Sequence, residues 1–192
     1  MKQAVPLNRY VAFFAIAIGG CAIDLATKTW MFANLDGRTW WLIDGVFGFQ
    51  TALNEGALFG VGQGLSFFFA ALSIGAAIGI VLWLFGSGAA RDWLLTVALA
   101  VVTIGILGNL YDRLGLPGLE WDGTYGNHAQ GEPVYAVRDF IHVMIGRWPW
   151  PTFNLADVAL NCGAALLIWH AFFTKAEPAH EEPAVESPEK AG

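Results

Sequence analysis

The sequence predicts an all-α membrane protein of four transmembrane helices, with a few short strands at one membrane surface. Three observations lead there. Of the 192 residues, 56% are hydrophobic. These residues are gathered into four long segments rather than spread as a soluble core would spread them, and a helix that crosses a bilayer needs about 20 mostly apolar residues. The tryptophans fall near the segment ends: Trp30, Trp40, Trp41, Trp148 and Trp150 mark one interface, and Trp83, Trp93 and Trp169 the other. That is the pattern of aromatic belts at the two edges of a membrane.

The elements follow in order. Helix 1 spans about 9–33, with Asp24 and Lys28 near its far end. Region 34–63 holds short aromatic and β-branched runs, Trp40-Trp41-Leu42-Ile43 and Gly45-Val46-Phe47-Gly48-Phe49, punctuated by Gly and Asp, which read as small surface strands. Helix 2 spans about 64–86, since Leu65 to Phe85 is 21 residues without a charge. Gly86-Ser87-Gly88 makes a tight turn into helix 3, about 92–114, where Trp93 to Tyr111 is 19 residues without a charge. Residues 115–150 read as a long loop rich in Gly, Pro and Trp. Helix 4 spans about 152–174, with Val158 to Thr174 uncharged over 17 residues. Residues 1–174 thus form one transmembrane domain. The remainder, 175–192, has five Glu, two Lys and three Pro. It cannot bury enough apolar surface to order itself and is expected to be a disordered acidic tail.

Composition excludes several classes. The formal net charge of -6 comes with no basic patch, so nothing points to nucleic acid. Cys21 and Cys162 lie within spans and read as small apolar fillers, not a disulfide. The first apolar run is too long for a cleavable signal peptide and lacks a small-residue cleavage site. There is no His-Glu-x-x-His, and the four histidines have no metal-ligand spacing. Ser87 has no base nearby, so a serine nucleophile is disfavoured. No internal repeat of the kind that builds transporters is present.

The ten Lys and Arg divide five and five between the two faces, so charge does not orient the chain. Alternation of the spans is more informative. It places the end of helix 1, region 34–63, the end of helix 3 and the start of helix 4 on one face. Asp24, Lys28, Asn54, Asn109, Asp112, Arg113, Asp139, Asn154 and Asp157 all fall there. Sequence-distant polar groups that converge on one end of a bundle read as a site.

Each group has its own logic. Asp24 and Lys28 share a helix face at i,i+4 with the acid first, the favourable order for an ion pair. Asn109 lies inside an apolar stretch and needs polar partners; Asp112 and Arg113 follow at three and four residues. Asn154, Asp157 and Asn161 form a polar stripe on helix 4 that should face the bundle. An aspartate there is a costly choice for mere interhelical adhesion. Asp139 is read as a loop residue held at the surface by Phe140 and Ile141. Gly56 and Gly60, flanking Phe59, would let a backbone approach a peptide closely. Two carboxylates in a partly dry site, Asp139 and Asp157, can share a proton and perform aspartic-protease chemistry.

Five motifs in register, Asp24-x-x-x-Lys28, Asn54-x-Gly56-x-x-Phe59-Gly60, Gly108-Asn109-x-x-Asp112-Arg113, Asp139-Phe140 and Phe153-Asn154-x-Ala156-Asp157, closely resemble the bacterial lipoprotein signal peptidase family, signal peptidase II. The resemblance covers about residues 9–174. It implies four membrane helices with a small extracytoplasmic β-cradle, cytoplasmic termini in the inner membrane, and an aspartic dyad of Asp139 and Asp157. It further implies that Asp24, Lys28, Asn54, Gly56, Phe59, Asn109, Asp112, Arg113, Phe153 and Asn154 support the site or contact substrate. The implied partners are lipidated prolipoproteins and membrane lipids, with no cofactor, no metal and a monomeric chain, and the cyclic peptide globomycin would block it. Two features depart from the family's pattern. The stretch between Arg113 and Asp139, which includes Trp121 and His128, is longer. His142 stands where an acidic residue is frequent. Two other readings compete: a different intramembrane aspartyl protease built on Tyr111-Asp112, and a small proton-coupled transporter or channel.

Overall fold

Leu7–Asn34 forms a 28-residue helix, α1, that starts directly after Pro6. In the computed structural model, which describes residues 4–56, 62, 64–124 and 128–173, three more long helices follow. These are α2 (Ser66–Gly86), α3 (Trp93–Arg113) and α4 (Leu155–Phe173). All four are long and apolar enough to cross a membrane. Phe59 and Gly60, and the tail 175–192, lie outside the described residues.

The turn from α2 to α3 follows from local chemistry. Gly88 adopts φ +83°, a left-handed conformation that costs glycine little, and a 3₁₀ turn (Ala89–Arg91) follows. The Asp92 side chain then accepts from the Leu95 N–H at 2.9 Å and caps α3. In the most apolar window of α3, 44% of residues are buried, against 17% or less in the other helices, so α3 is the central post and the others present their outer faces outward.

Close helix approach depends on small residues. A Cβ on Gly105 would lie 2.4 Å from the Ala156 carbonyl oxygen, and one on Gly163 would lie 2.9 Å from the Val102 nitrogen. The α3 and α4 backbones therefore meet where only glycine fits, as in small-residue contacts of membrane helices.

The extramembrane part is larger in β-structure than the sequence reading has it. Four antiparallel strands pair in the order β1-β2-β3-β4. β1 (Trp40–Ile43) and β2 (Phe47–Asn54) come from region 34–63. β3 (Val137–Ile145) and β4 (Trp148–Phe153) come from the segment read as loop 115–150. Asp139 is therefore a strand residue, not a loop residue. The strand signal in β3 is masked because it is buried on both faces over its first six residues, so polar Arg138, Asp139 and His142 interrupt the apolar run without marking a solvated face. Pro149 and Pro151 argue against a central strand, but β4 is an edge, where proline is tolerated. Residues 152 and 153, assigned to helix 4 from sequence, belong to β4.

Candidate active site

Asp139 is 1% exposed and sits on β3 opposite Ala52 of β2. The β2–β3 register shifts between Phe49 and Ala52, and the β3–β4 register shifts between Ile141 and Val143. Irregularities of this kind re-aim side chains. Both fall just C-terminal to Asp139 along β3, and its carboxylate meets two amides. Asn154 Nδ2 donates to Oδ1 at 2.6 Å and Asn54 Nδ2 donates to Oδ2 at 3.2 Å. Burial, reinforced by the charge of Asp157, pushes the Asp139 carboxyl up to about 7, against the opposing pull of the two amides and of Lys28.

Asp157 is held differently. Asn154 precedes α4 and caps it: its Oδ1 accepts from the Asp157 N–H at 3.0 Å, and Asp157 Oδ2 accepts from the Asn154 N–H at 3.2 Å. This is a reciprocal capping box with amide and carboxylate in place of hydroxyl and glutamate. Asn109 Nδ2 donates to Asp157 Oδ1 at 2.8 Å. Asp157 thus lies in the first turn of α4, where the positive end of the helix dipole faces an anion.

A buried ion network sets the polarity of these amides. Lys28 is fully buried and its Nζ lies 2.9 Å from Asp24 Oδ2 and 3.1 Å from Asp112 Oδ2. It also donates to Asn109 Oδ1 at 3.0 Å. With its oxygen engaged by an ammonium, Asn109 must turn its NH₂ to Asp157. Asn154 Nδ2 donates to the same Asn109 oxygen at 3.2 Å, which leaves the Asn154 oxygen for the α4 cap. Asp24 Oδ1 accepts from the Ala156 N–H at 2.9 Å, tying α1 to the start of α4. Gly108 makes room: a Cβ there would fall 2.4 Å from Asp24 Oδ2.

Asp112 does not brace Arg113, its sequence neighbour. It accepts from Arg138 Nε at 2.8 Å and from the Arg138 N–H at 3.1 Å. Arg138, 3% exposed, is a supporting residue that the sequence reading passed over. Its signal was only its place beside Asp139, since an arginine in a presumed loop gives no sign of burial. Arg113 instead lies over the Phe69 ring at 5.4 Å, and its Nη2 donates to the Gly56 carbonyl at 3.2 Å.

A cavity of about 690 Å³ adjoins Asp157. Asn54, Gly56, Asn109 and Arg113 make its polar wall, and Ile106, Phe153, Val158 and Leu160 are among its apolar lining. Asn161 also lines it but is exposed, so the stripe read on helix 4 divides: Asn154 caps inside, while Asn161 faces outward. Among the described residues, no cluster of His, Cys, Asp and Glu is arranged to hold a metal ion.

The model of the signal peptidase (SPase) II family matches residues 16–173 of this chain. The chain belongs to the signal peptidase II family. A lipoprotein signal peptidase of Rhodopirellula baltica is 43% identical over 96% of this chain and 82% of its own length. One from Yersinia pseudotuberculosis is 32% identical over 84% of this chain and 87% of its own. A solved bacterial membrane enzyme superposes with a TM-score of 0.69 at 25% identity, covering 92% of this chain and 98% of that one. For a signal peptidase II chain, the distribution of the expected site residues is clear. Asn54 and Asn154 touch the Asp139 carboxylate. Asn109 and Asn154 touch Asp157. Asp24, Lys28 and Asp112 form the ion network beneath. Gly56, Arg113 and Phe153 line the cavity.

Proposed function

We propose that this chain is an aspartic endopeptidase of the bacterial inner membrane. It removes the signal peptide from diacylglyceryl-modified prolipoproteins, cutting before the lipidated cysteine. The observation that carries the reading is the pairing of two unlike carboxyls: Asp139, buried and proton-holding, and Asp157, surrounded by amide donors beside a mostly apolar cavity. A carboxyl that burial keeps protonated is suited to act as the acid, which leaves its neighbour as the base.

In this reading the Asp157 carboxylate takes a proton from a water that attacks the scissile carbonyl carbon. Asp139 gives its proton to the carbonyl oxygen. The tetrahedral diol then collapses. Its hydroxyl returns a proton to Asp139, and Asp157 passes its proton to the leaving amine, so the dyad ends as it began. Asn109 and Asn154 hold the two carboxyls in register while the charge moves. The lipid chains of the substrate lie against the apolar side of the cavity, and remote binding of this kind positions the reacting bond. The termini are cytoplasmic and the sheet extracytoplasmic, with one chain sufficient for activity.

Purified protein given a lipidated prolipoprotein peptide and the same peptide with an unmodified cysteine tests the proposal. The expected result is one cut, before the cysteine, in the lipidated peptide only. Equal cutting of both, or of neither, overturns it.

A further inference from the structure

The segment between α3 and β3 is the part of the chain that departs from its family's pattern, and the dyad chemistry makes no use of it. Its described residues are nevertheless tied together. The Trp121 N–H donates to the Glu132 carbonyl at 2.8 Å, and the Val134 N–H donates to the Leu119 carbonyl at 2.9 Å. Trp121, Val134 and Ala136 are all buried and pack together against Leu53 of β2 and Leu119. Among the described residues of this segment, His128 reaches toward the site. His128 stacks on Trp121, with ring centroids 4.2 Å apart and planes 2° from parallel. Its Nε2 meets Glu55 Oε1 at 2.5 Å, and its Nδ1 lies 3.4 Å from Glu132 Oε2.

Glu55 stands between two residues of the site. Before it, Asn54 donates to Asp139; after it, Gly56 lines the cavity and receives Arg113. The Glu55 carbonyl accepts from Ser66 Oγ at 3.2 Å, at the first residue of α2. Asn54 closes the β2–β3 ladder opposite Val137, and Glu55 and Gly56 lie just beyond it, so their placement rests on side-chain bonds, the Gly56 N–H donating to Asn54 Oδ1 at 3.0 Å among them. Asn54 is held on the dyad side. His128 is the matching hold on the outer side, and the Trp121 face fixes the plane in which its ring points.

We propose that His128 is a positioning residue. Through Glu55 it fixes the Gly56 wall of the substrate cavity, and the α3–β3 segment serves to present it. The proposal rests on the reading of that cavity as the substrate site. Because Asn54 keeps its own bond to Asp139, loss of the His128 hold loosens the cavity wall more than the dyad.

The test uses the purified full chain and the lipidated prolipoprotein peptide, with kcat and KM measured separately. His128→Ala and Glu55→Met each remove the bond, and each is expected to raise KM about tenfold, the scale of a hydrogen bond to a charged group, while kcat stays within about twofold. The double variant is expected to match the single variants, since both act through one bond. His128→Gln, which keeps a donor, is expected to recover most of the affinity. Unchanged KM in the single variants, additive losses in the double, or no recovery with His128→Gln overturns the proposal. If His128→Ala fails to accumulate in membranes, Glu55→Met decides alone, because a side chain of similar length at a part-exposed position spares the loop's core. Asp139→Asn in the same assay reports separately on the dyad: its activity bears on that reading, and the KM values bear on His128.

Discussion

Asn154 and Asp157 exchange hydrogen bonds, side chain to backbone in both directions, at 3.0 and 3.2 Å. The same Asn154 amide donates to Asp139 at 2.6 Å. One residue therefore starts α4, orients one carboxylate and bonds the other.

These roles are separable by substitution. Asn154→Ala removes all its side-chain bonds, and loss of an N-cap alone typically costs about 1 kcal/mol. Asn154→Ser keeps a cap but is too short to reach Asp139. The expected result is near-normal thermal stability with Asn154→Ser but a loss of turnover comparable to that of Asn154→Ala. Calorimetry or a thermal-shift assay, paired with kcat, checks it.

The pH dependence follows from Asp139. Its carboxyl titrates at about 7 in the fold and at the ordinary acid value when unfolded, so the fold favours the protonated form. Its contribution to stability is fully present below the ordinary value and is lost as pH rises toward about 7. The proposed mechanism uses the same proton, so kcat/KM is expected to fall on the alkaline side with a midpoint near 7. The value belongs to the coupled pair with Asp157. A pH–rate profile that stays flat through this range contradicts the assignment of Asp139 as the acid.

Lys28 is balanced by Asp24 and Asp112, and Arg138 completes the charge count. Lys28→Met leaves a buried carboxylate without its partner, a change that commonly costs about 3–5 kcal/mol. Adding Asp24→Asn restores the charge balance and is expected to recover much of the melting temperature. It does not restore the ammonium that turns the Asn109 amide, so turnover is expected to stay low. Recovery of both stability and turnover would show that Asn109 orients without Lys28.

Much of this was legible because the physics of membranes is severe. A polar side chain in an apolar span must find a partner, and Asp24, Lys28, Asn109 and Asp157 all do. Their convergence was readable from the alternation of spans. The Asp24–Lys28 pair could be read because it lies within one helix, whereas partner choice between elements could not. Asp112 and Arg113 are neighbours in sequence yet turn to Arg138 and Gly56, because successive helix positions point about 100° apart. The strands β3 and β4 were hidden for a different reason. Burial on both faces removes the alternation that reveals a strand, and the prolines of β4 conceal an edge.

The central claim is that Asp139 and Asp157 act as one catalytic pair. Turnover of lipidated prolipoprotein peptide by purified Asp139→Asn and Asp157→Asn proteins tests it most directly, with Asp112→Asn as the control. Asparagine keeps the shape but cannot carry the proton, and general acid–base catalysis alone is worth about 10²–10⁴-fold. Both dyad variants are expected to accumulate in membranes and lose at least that much activity, while Asp112→Asn, which weakens only the ion network, loses stability but retains measurable turnover. Near-normal turnover in either dyad variant, or its complete absence in Asp112→Asn alone, would contradict the account.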